Sequence, residues 1–521
     1  MIMTKTNLQR RTFLSAGAAG AALALAARPR SAEAACVDTM PAKWDETFDV
    51  IVVGSGFAGL AAAAEAIDGG ASVVVLEKMT ALGGNSVING GLFGVPGSEQ
   101  QKAMGIKDSP ELLAEDMLRE GLGYNYPDKV RYMAEHTLET YEWTVKTLGV
   151  EYIQGQVNAE GGHSVPRCVV TKNGSGSEIV KKQLAYLEKK KAEIRNRVYV
   201  EAIVRDGDGR VKGLKVREGY RFPKENSGKV RYYCAKKAVI LCHGGFGADV
   251  TYRMKHDPKL TDKFDTTCQP GATSELWREA ARIGASMVQC DWIQCGPWTS
   301  PEEKGFGIAL YFANGCAGSC GIWVNCTTGK RFVNEMVNRK IRADAIINAG
   351  NKGDRCIAIA DKTAVETTIA ITRPGIFEKQ LEKGVLHEFA TLADLAKAYS
   401  IPLDALKKSV SDYNDALGGK GKDEMGRYFF PKAKPLAVDG GPWYASILSP
   451  KVHHTMGGIE TDKFCRALDI TNDEPIPGLY AAGEATGGVH GAVRLGSCAV
   501  VDCLVNGRIA GREAAKEKAW C

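Results

Sequence analysis

The sequence lacks the signatures of several common protein classes. It has no basic stripe interleaved with aromatic residues, and the net charge of the 521-residue chain is only +6, which excludes a nucleic-acid-binding protein. It contains no C-x-x-C-H motif for a covalent c-type haem and no C-x-x-C-x-x-C run for an iron–sulfur cluster. Its eight histidines are widely scattered, which argues against a catalytic metal site. Beyond the N-terminal segment, no stretch is long and apolar enough to cross a bilayer.

What is present is typical of a large globular protein. Hydrophobic residues make up 44% and charged residues 25% of the chain, which is long enough for two or more domains. The fifteen cysteines are an odd number. A disulfide among Cys316, Cys320 and Cys326 and a set of scattered buried thiols both remain open.

The N-terminal segment predicts an export signal. Arg10 and Arg11 precede a short alanine-rich apolar run, and Ala32-Glu33-Ala34 forms a small-residue cleavage site. We therefore expect a twin-arginine signal over residues 1–34, cleaved near Ala34, and a mature protein in the periplasm. This route carries proteins that fold before export, often around a cofactor.

A dinucleotide-binding motif follows the first predicted strand. Gly54, Gly56 and Gly59 form G-x-G-x-x-G between the apolar run FDVIVV and an alanine-rich helix, and Glu77 ends the next strand. The glycines permit a tight turn, close approach to a pyrophosphate and helix–strand packing, while the acid accepts hydrogen bonds from a ribose. The second glycine-rich stretch, residues 83–91, favours FAD over NAD because it extends the site toward a longer cofactor.

Further patterns indicate a nucleotide fold that is divided along the chain. Residues 198–216 read as a hairpin with Asp-Gly turns, residues 235–247 as a strand entering a glycine turn, and residues 497–518 as a closing helix. We therefore predict an FAD-binding domain over 45–289 and 449–521, with a capping domain inserted over 290–448.

Six motifs occur in an order that resembles one enzyme family. They are the first glycine motif, GGNS, VILCHGGFG, GKRFVNE, VHHTMGGIE and GLYAAGEATGGVHGAVRLG. The chain resembles the FAD-dependent fumarate reductase/succinate dehydrogenase flavoproteins, and is most similar to the soluble periplasmic flavocytochrome c-type fumarate, urocanate and acrylate/methacrylate-type reductases. The resemblance implies an α/β fold, with a Rossmann-like FAD-binding domain and an inserted α+β capping domain.

The resemblance also implies the cofactor and its contacts. Membrane-bound relatives attach FAD through a histidine in the second glycine-rich stretch, which has none here, so we expect non-covalent FAD. The implied contacts are Gly54, Gly56, Phe57, Ala58, Gly59, Glu77, Lys78, Gly83, Gly84, Asn85, Ser86, Gly90, Gly91, Ile203, His243, Gly244, Gly245, His454, Gly483, Glu484, Arg494, Gly496, Ser497, Ala499 and Val500. A structural sodium ion is implied at Thr455, Met456, Gly457, Glu484 and Thr486.

Three catalytic residues follow from the same resemblance. Arg339 matches the arginine that protonates the substrate, while His453 and Arg494 match the pair that binds a substrate carboxylate. Arginine suits the second task because its planar fork grips a carboxylate at two points. The resemblance implies hydride delivery from reduced flavin N5 to the β-carbon of a conjugated double bond and proton delivery from Arg339 to the α-carbon.

The sequence departs from the dicarboxylate reductases at the other end of the substrate. Gly296 stands where they have a carboxylate-binding histidine, and Ala313, Asn314 and Ala317 stand where they have threonine, glutamate and arginine. Further expected substrate contacts are Gly296, Tyr311, Phe312 and Asn314, in a region rich in aromatic residues and cysteines. A buried carboxylate without partners costs several kcal/mol, so we expect a monocarboxylate such as acrylate, methacrylate or cinnamate. The route that returns a proton to Arg339 stays open between Arg342, Asn314 and ordered water.

Three alternatives remain at this level: a fumarate or urocanate reductase, a ketosteroid-type enone dehydrogenase, and a flavin-bearing electron carrier. Since the chain has no haem motif, a separate multihaem c-type cytochrome or quinol-linked donor is implied as its partner.

Overall fold

The computed structural model describes residues 40–521 apart from residues 374, 431 and 432. The expected export signal over residues 1–34 lies outside this range. Within the described residues, no helix is long and apolar enough to cross a membrane.

Strands and helices alternate along the first part of the described chain. The strands are β1 (Glu46–Val53), β2 (Val73–Leu76), β3 (Leu92–Gly94), β4 (Cys168–Val170), β5 (Glu193–Arg195), β6 (Val198–Arg205), β7 (Val211–Glu218), β8 (Lys229–Leu241), β9 (Met287–Val288), β10 (Ile293–Gly296), β11 (Ile322–Asn325), β12 (Cys356–Asp361), β13 (His387–Phe389), β14 (Trp443–Leu448), β15 (Lys451–Thr455), β16 (Gly458–Ile459), β17 (Arg466–Leu468) and β18 (Pro475–Ala481).

The helices flank these strands and dominate between β11 and β14. They are α1 (Phe57–Asp68), α2 (Glu99–Ala103), α3 (Pro110–Glu120), α4 (Pro127–Glu135), α5 (Thr137–Lys146), α6 (Ser177–Lys189), α7 (Val250–His256), α8 (Glu275–Arg282), α9 (Leu310–Phe312), α10 (Gly318–Cys320), α11 (Arg339–Gly350), α12 (Lys362–Thr367), α13 (Ile369–Thr372), α14 (Ile376–Glu382), α15 (Leu392–Tyr399), α16 (Leu403–Leu417) and α17 (Cys498–Lys516). Short 3₁₀ turns cover Gly84–Val87 and Gly483–Ala485, and a π-helical turn covers Ala313–Ala317.

An eight-stranded sheet carries the dinucleotide motif. Its main path runs β17-β18-β8-β1-β2-β5, and the pairings among β18, β8, β1, β2 and β5 are parallel. The long strand β8 also pairs with β7, which forms an antiparallel hairpin with β6. This arrangement confirms the expected α/β fold with a Rossmann-like sheet, in which strands from both ends of the chain lie side by side.

Alternate residues of the central strands enter two different hydrophobic clusters. Val50 and Val52 of β1 pack into the cluster that contains α1 and α17, whereas Ile51 and Val53 pack into the cluster on the other face. Both faces are therefore covered, which explains why these strands read as continuous apolar runs. On the first face α1 and α17 pack closely: a Cβ added at Gly511 of α17 would lie 2.2 Å from the backbone oxygen of Ala62 in α1.

A second, four-stranded sheet lies within the expected insertion. It runs β11-β12-β14-β13, all antiparallel, and has a hydrophobic cluster of its own that includes Trp323 and Trp443. The helical patterns at LADLAKAY and LDALKKSVSDYNDAL form α15 and α16 as expected. The boundaries of the two domains stay a prediction. In the same region Cys316 and Cys326 are buried free thiols, and burial raises the pKa of Cys326 to about 11.

Candidate active site

The turn between β1 and α1 has the backbone that the glycine motif predicts. Gly54 has a φ of +106°, a conformation that disfavours side chains. A Cβ added at Gly59 would lie 1.9 Å from the backbone oxygen of Gly54, so only glycine lets the helix pack this closely on the turn. The N-cap residue Gly56 has no side chain to cap α1; the N–H of Phe57 donates to Ser86 Oγ at 2.9 Å, and the N-terminus of the helix faces the turn as an anion site.

The acid at the end of β2 is held in place by its neighbours. The hydroxyl of Ser55 donates to Glu77 Oε2 at 2.7 Å, and the backbone N–H of Met79 donates to Oε1 at 2.9 Å. Glu77 also lines a cavity next to the β1–α1 turn, where a ribose would meet it.

The first cavity contains buried polar groups that have no hydrogen-bond partner among the described residues, and these suit bound FAD. Its lining includes the glycine turn, Glu77, Lys78, residues 198–200 and residues 242–244. Both ring nitrogens of His243 are buried there without a hydrogen-bond partner in the described part of the chain. Burial lowers the pKa of His243 to about 3, so its ring is neutral. Unpaired buried polar atoms are rare in native proteins, and they suit a site that a polar ligand completes.

A second cavity continues from the first, with which it shares lining residues Phe57, Asn85, Ser86, Glu484 and Cys503. The three expected catalytic residues Arg339, His453 and Arg494 line it together, although they are separated by up to 155 positions in the sequence. The two cavities thus connect the nucleotide turn to the histidine and the two arginines.

His453 lies on β15, and its orientation depends on a threonine. Its Nδ1 is 2.7 Å from the hydroxyl of Thr267, and its ring makes an edge contact with Trp298. Burial, together with the charges of Arg494 and Arg339, lowers the pKa of His453 well below its ordinary value. The ring is neutral, and when Thr267 donates to Nδ1, Nε2 carries the proton and acts as a donor.

The two arginines of this cavity differ in burial and in pairing. Burial lowers the pKa of Arg494 to about 9, so it remains charged at neutral pH, and its Nε is buried without a partner in the described residues. Arg339, the first residue of α11, stacks on Trp298 at 4.6 Å and lies 3.5 Å from Glu160 Oε2. Burial also lowers the pKa of Arg339, which makes it a better acid than a free arginine.

The remaining wall is mostly apolar. Trp298, Phe306 and Leu310 line the cavity, and the first two contact the ring of His453. A Cβ added at Gly296 would lie 3.5 Å from the indole of Trp298, so the indole covers the space toward which a side chain at 296 would extend. Asn314 lines the cavity as expected, and its Oδ1 accepts from Arg342 Nη1 at 2.8 Å.

Most of the expected contact residues line one of the two cavities. These are Gly54, Gly56, Phe57, Ala58, Glu77, Lys78, Gly84, Asn85, Ser86, Gly90, His243, Gly244, His454, Glu484, Arg494, Ser497, Ala499 and Val500. Others lie beneath or beside the lining: Gly59, Gly83, Gly91, Gly245, Gly296, Gly483 and Gly496.

Three expected contacts are not brought to the cavities. Ile203 is fully buried in the sheet and its N–H donates to Glu279, because β6 reaches the cavity earlier, at residues 198–200. Phe312 is fully buried in the hydrophobic cluster of the smaller sheet, and Tyr311 is stacked against Arg373. The helical turn α9 presents Leu310 to the cavity instead.

Thr267, Glu160 and Phe306 are lining residues that sequence reasoning missed. None of them belongs to a recognisable motif. Thr267 reaches β15 because the neighbouring Thr266 forms a bridge with Val452, which is a long-range pairing without a local signal.

The second histidine of the pair has a different environment. His454 Nδ1 lies 3.4 Å from Glu484 Oε1, which also accepts from the N–H of Thr455 at 3.0 Å. Within the described residues, no three His, Cys, Asp or Glu side chains are grouped as metal ligands. The sodium site at residues 455–457, 484 and 486 stays a prediction.

Known proteins resemble the chain over most of its length. A family model described as FAD binding domain matches residues 49–500. The chain is 38% identical to the acrylate reductase flavoprotein subunit of Shewanella woodyi, over 98% of each protein, and 35% identical to the urocanate reductase of Eggerthella lenta, over 90% of this chain and 74% of that protein. The open conformation of a flavocytochrome c3 fumarate reductase superposes with a TM-score of 0.73 at 30% identity, covering 91% of this chain and 79% of that one.

Proposed function

Because the chain belongs to the FAD binding domain family and is an FAD-dependent oxidoreductase acting on carbon–carbon double bonds, we propose that it reduces an α,β-unsaturated acid with a single carboxylate. The observation that carries this proposal is the composition of the second cavity. His453 and Arg494 offer donors for one carboxylate. Of the opposite wall, Phe306 and Leu310 offer no donor, and Trp298 offers only its neutral indole N–H, which is too little for a second carboxylate.

The charge of the cavity supports the same substrate class. Two arginines, Arg339 and Arg494, and two glutamates, Glu160 and Glu484, line it together with neutral histidines. Burial raises the pKa of Glu484 to about 7. Near neutral pH the lining therefore carries between zero and one net positive charge, which balances one carboxylate. A second carboxylate would be buried without a balancing positive charge, at a cost of several kcal/mol.

Each residue of the site has a role in this chemistry. Bound FAD supplies the hydride for the β-carbon. His453 Nε2 and the guanidinium of Arg494 bind the carboxylate and stabilise the negative charge that develops on it. The guanidinium of Arg339, held by its stack on Trp298, donates a proton to the α-carbon. The apolar wall limits water around the reacting atoms.

The same cavity argues against urocanate as the substrate. Among the expected substrate contacts, Tyr311 is the residue whose hydroxyl suits an imidazole ring, and it contacts Arg373 rather than the cavity. Both relatives named above nevertheless act on small unsaturated acids, so urocanate belongs in the test.

We infer further that the mature protein works in the periplasm with a separate electron donor, a c-type cytochrome or a quinol-linked protein. The twin-arginine pattern in residues 1–34 and the absence of a haem motif from the sequence support this inference.

The test is a substrate panel on purified, FAD-loaded protein with a reduced viologen dye. We expect turnover of acrylate, methacrylate or cinnamate and a kcat/KM for fumarate that is roughly 100-fold lower, corresponding to about 3 kcal/mol for the unpaired carboxylate. Arg494→Lys is the matched variant, because it keeps the charge but loses the planar fork; it should raise KM for the preferred acid. Faster turnover of fumarate than of every monocarboxylate would contradict the proposal.

A further inference from the structure

The proposed function assigns no residue to return a proton to Arg339. A guanidinium that protonates the α-carbon becomes neutral and must regain a proton in every cycle. The resemblance implies that in dicarboxylate reductases the glutamate and the arginine at positions 314 and 317 supply this proton; here Asn314 and Ala317 stand at those positions, so the proton has to arrive by another path.

Glu160 is the one carboxylate in the described part of the chain that forms an ion pair with Arg339. Its Oε2 lies 3.5 Å from Nη2, at the outer limit of a hydrogen bond, and contacts of this kind commonly shorten when the substrate is bound. The Glu160 side chain is 22% exposed and that of Arg339 is 13% exposed. The carboxylate thus touches both the solvent and the guanidinium.

The loop that carries Glu160 is firmly anchored. Arg167, which is fully buried, binds Asp108 and Asp116, and Asp116 also accepts from the N–H of Ser164 at 2.8 Å. Arg119 donates to the backbone oxygen of Gly162 at 2.6 Å. An internal salt-bridge network therefore fixes the backbone just after Glu160.

The loop also fits closely against the site itself. His163 Nε2 lies 2.8 Å from the backbone oxygen of Gly496, and a Cβ added at Gly496 would lie 2.5 Å from Glu160 Cβ. Gly161 packs beneath the backbone oxygen of Met336, three residues before Arg339. Glu160 is thus fixed between the segment that carries Arg494 and the segment that leads into α11.

The two side chains that the sequence left as candidates, Arg342 and Asn314, do not provide a path. Arg342 Nη1 already donates to Asn314 Oδ1 at 2.8 Å and to the backbone oxygen of Glu335 at 3.0 Å. An amide such as Asn314 has no proton acidic enough to transfer to a neutral guanidine, and Arg342 is buried away from solvent.

We propose that Glu160 is the relay residue that carries protons from solvent to Arg339, an inference that rests on the proposed function. In each cycle the Arg339 N–H bond breaks as the α-carbon gains its proton. Glu160 takes a proton from water and passes it to the neutral guanidine nitrogen Nη2, which restores the guanidinium and the carboxylate. No electrons move in this step, and one solvent proton is consumed per substrate reduced.

The test compares Glu160→Gln with Glu160→Asp and Glu120→Gln in the FAD-loaded enzyme. We expect Glu160→Gln to lower kcat roughly 100-fold with little change in KM, since general acid–base groups contribute about 10²–10⁴-fold. Small buffer acids should partly restore its rate in proportion to their concentration, and its solvent deuterium isotope effect should rise. Glu160→Asp should recover part of the activity.

Glu120 is the matched control, because it packs on Gly162 of the same loop but pairs with Arg119. The Glu120→Gln variant should behave as wild type.

Several results would overturn the relay. One is that the wild-type protein is active and the Glu160→Gln variant has the same activity. Another is a Glu160→Gln variant that loses activity together with bound FAD or thermal stability and does not respond to buffer acids, since this pattern indicates a structural role. Wild-type protein inactive on every unsaturated acid would instead remove the proposed function, and the relay with it.

Discussion

At the scale of single residues, the orientation of His453 depends on the hydroxyl of Thr267. Replacing Thr267 by valine keeps the shape of the side chain but leaves Nδ1 buried without its 2.7 Å partner. The proton can then move to Nδ1, which removes the donor at Nε2. We expect kcat/KM to fall by about tenfold, which corresponds to about 1.4 kcal/mol for one buried hydrogen bond.

The control for this change is Thr267→Ser, which retains the hydroxyl and should retain most of the activity. Steady-state kinetics on the preferred acid, with FAD content measured in parallel, separate the two variants. Equal activity of the valine and serine variants would show that Thr267 does not orient the histidine.

Residues in contiguous motifs could be predicted, and residues brought in by long-range pairing could not. His453 and Arg494 lie within VHHTMGG and HGAVRLG, so their identity was visible in the sequence, and the structure places them in one cavity. Thr267 reaches His453 through a bridge near Val452, and Glu160 reaches Arg339 through a loop anchored by Arg167. Such contacts follow from tertiary packing, which leaves no pattern at the positions themselves.

At the scale of elements, a buried ionic group connects β11 to the segment before α11. Glu335 is fully buried and binds Arg331 at 2.8 Å and Arg427 at 3.1 Å, and it accepts from the N–H of Trp323. Removing the carboxylate leaves the buried Arg427 guanidinium with backbone oxygens as its partners in the described residues, and leaves Arg331 with Asp423 alone. We expect Glu335→Ala to lower the free energy of unfolding by about 3–5 kcal/mol.

Urea denaturation followed by tryptophan fluorescence measures this effect. The control is Asp344→Ala, which removes the exposed i,i+4 pair with Lys340 on α11 and should cost no more than about 1 kcal/mol. Similar losses in both variants would mean that the buried group does not hold these elements together.

Regular elements were more predictable than irregular ones. The hairpin β6–β7 was visible from its Asp-Gly turn, and α15 and α16 from their apolar spacing. The π-helical turn at Ala313–Ala317 and the bulge in the β10–β15 pairing had no such signal. Next to the π-helical turn, α9 places Leu310 in the cavity in place of Tyr311 and Phe312, which is where the expected substrate contacts and the structure differ.

At the scale of the whole molecule, the two ends of the described chain build one nucleotide site. The first cavity is lined by residues 53–58 on one side and by Ala482, Glu484 and Cys503 on the other. Helices α1 and α17 pack directly together beneath it. A ligand in this cavity contacts segments separated by more than 400 positions, so its binding stabilises the folded chain as a unit rather than one local element.

FAD should therefore raise the thermal stability of the protein in a concentration-dependent manner. A ligand that binds only the folded state at about 100 times its Kd stabilises that state by about 2.7 kcal/mol. We expect the Tm of FAD-depleted protein to rise with added FAD, as measured by circular dichroism.

The matched variant is Gly56→Ala. Gly56 has a φ of −75°, which alanine also adopts. The added Cβ would lie 3.2 Å from Ser86 Oγ, where the backbone must approach the pyrophosphate. This variant should fold and respond far less to FAD, and a response equal to that of wild type would place the pyrophosphate elsewhere.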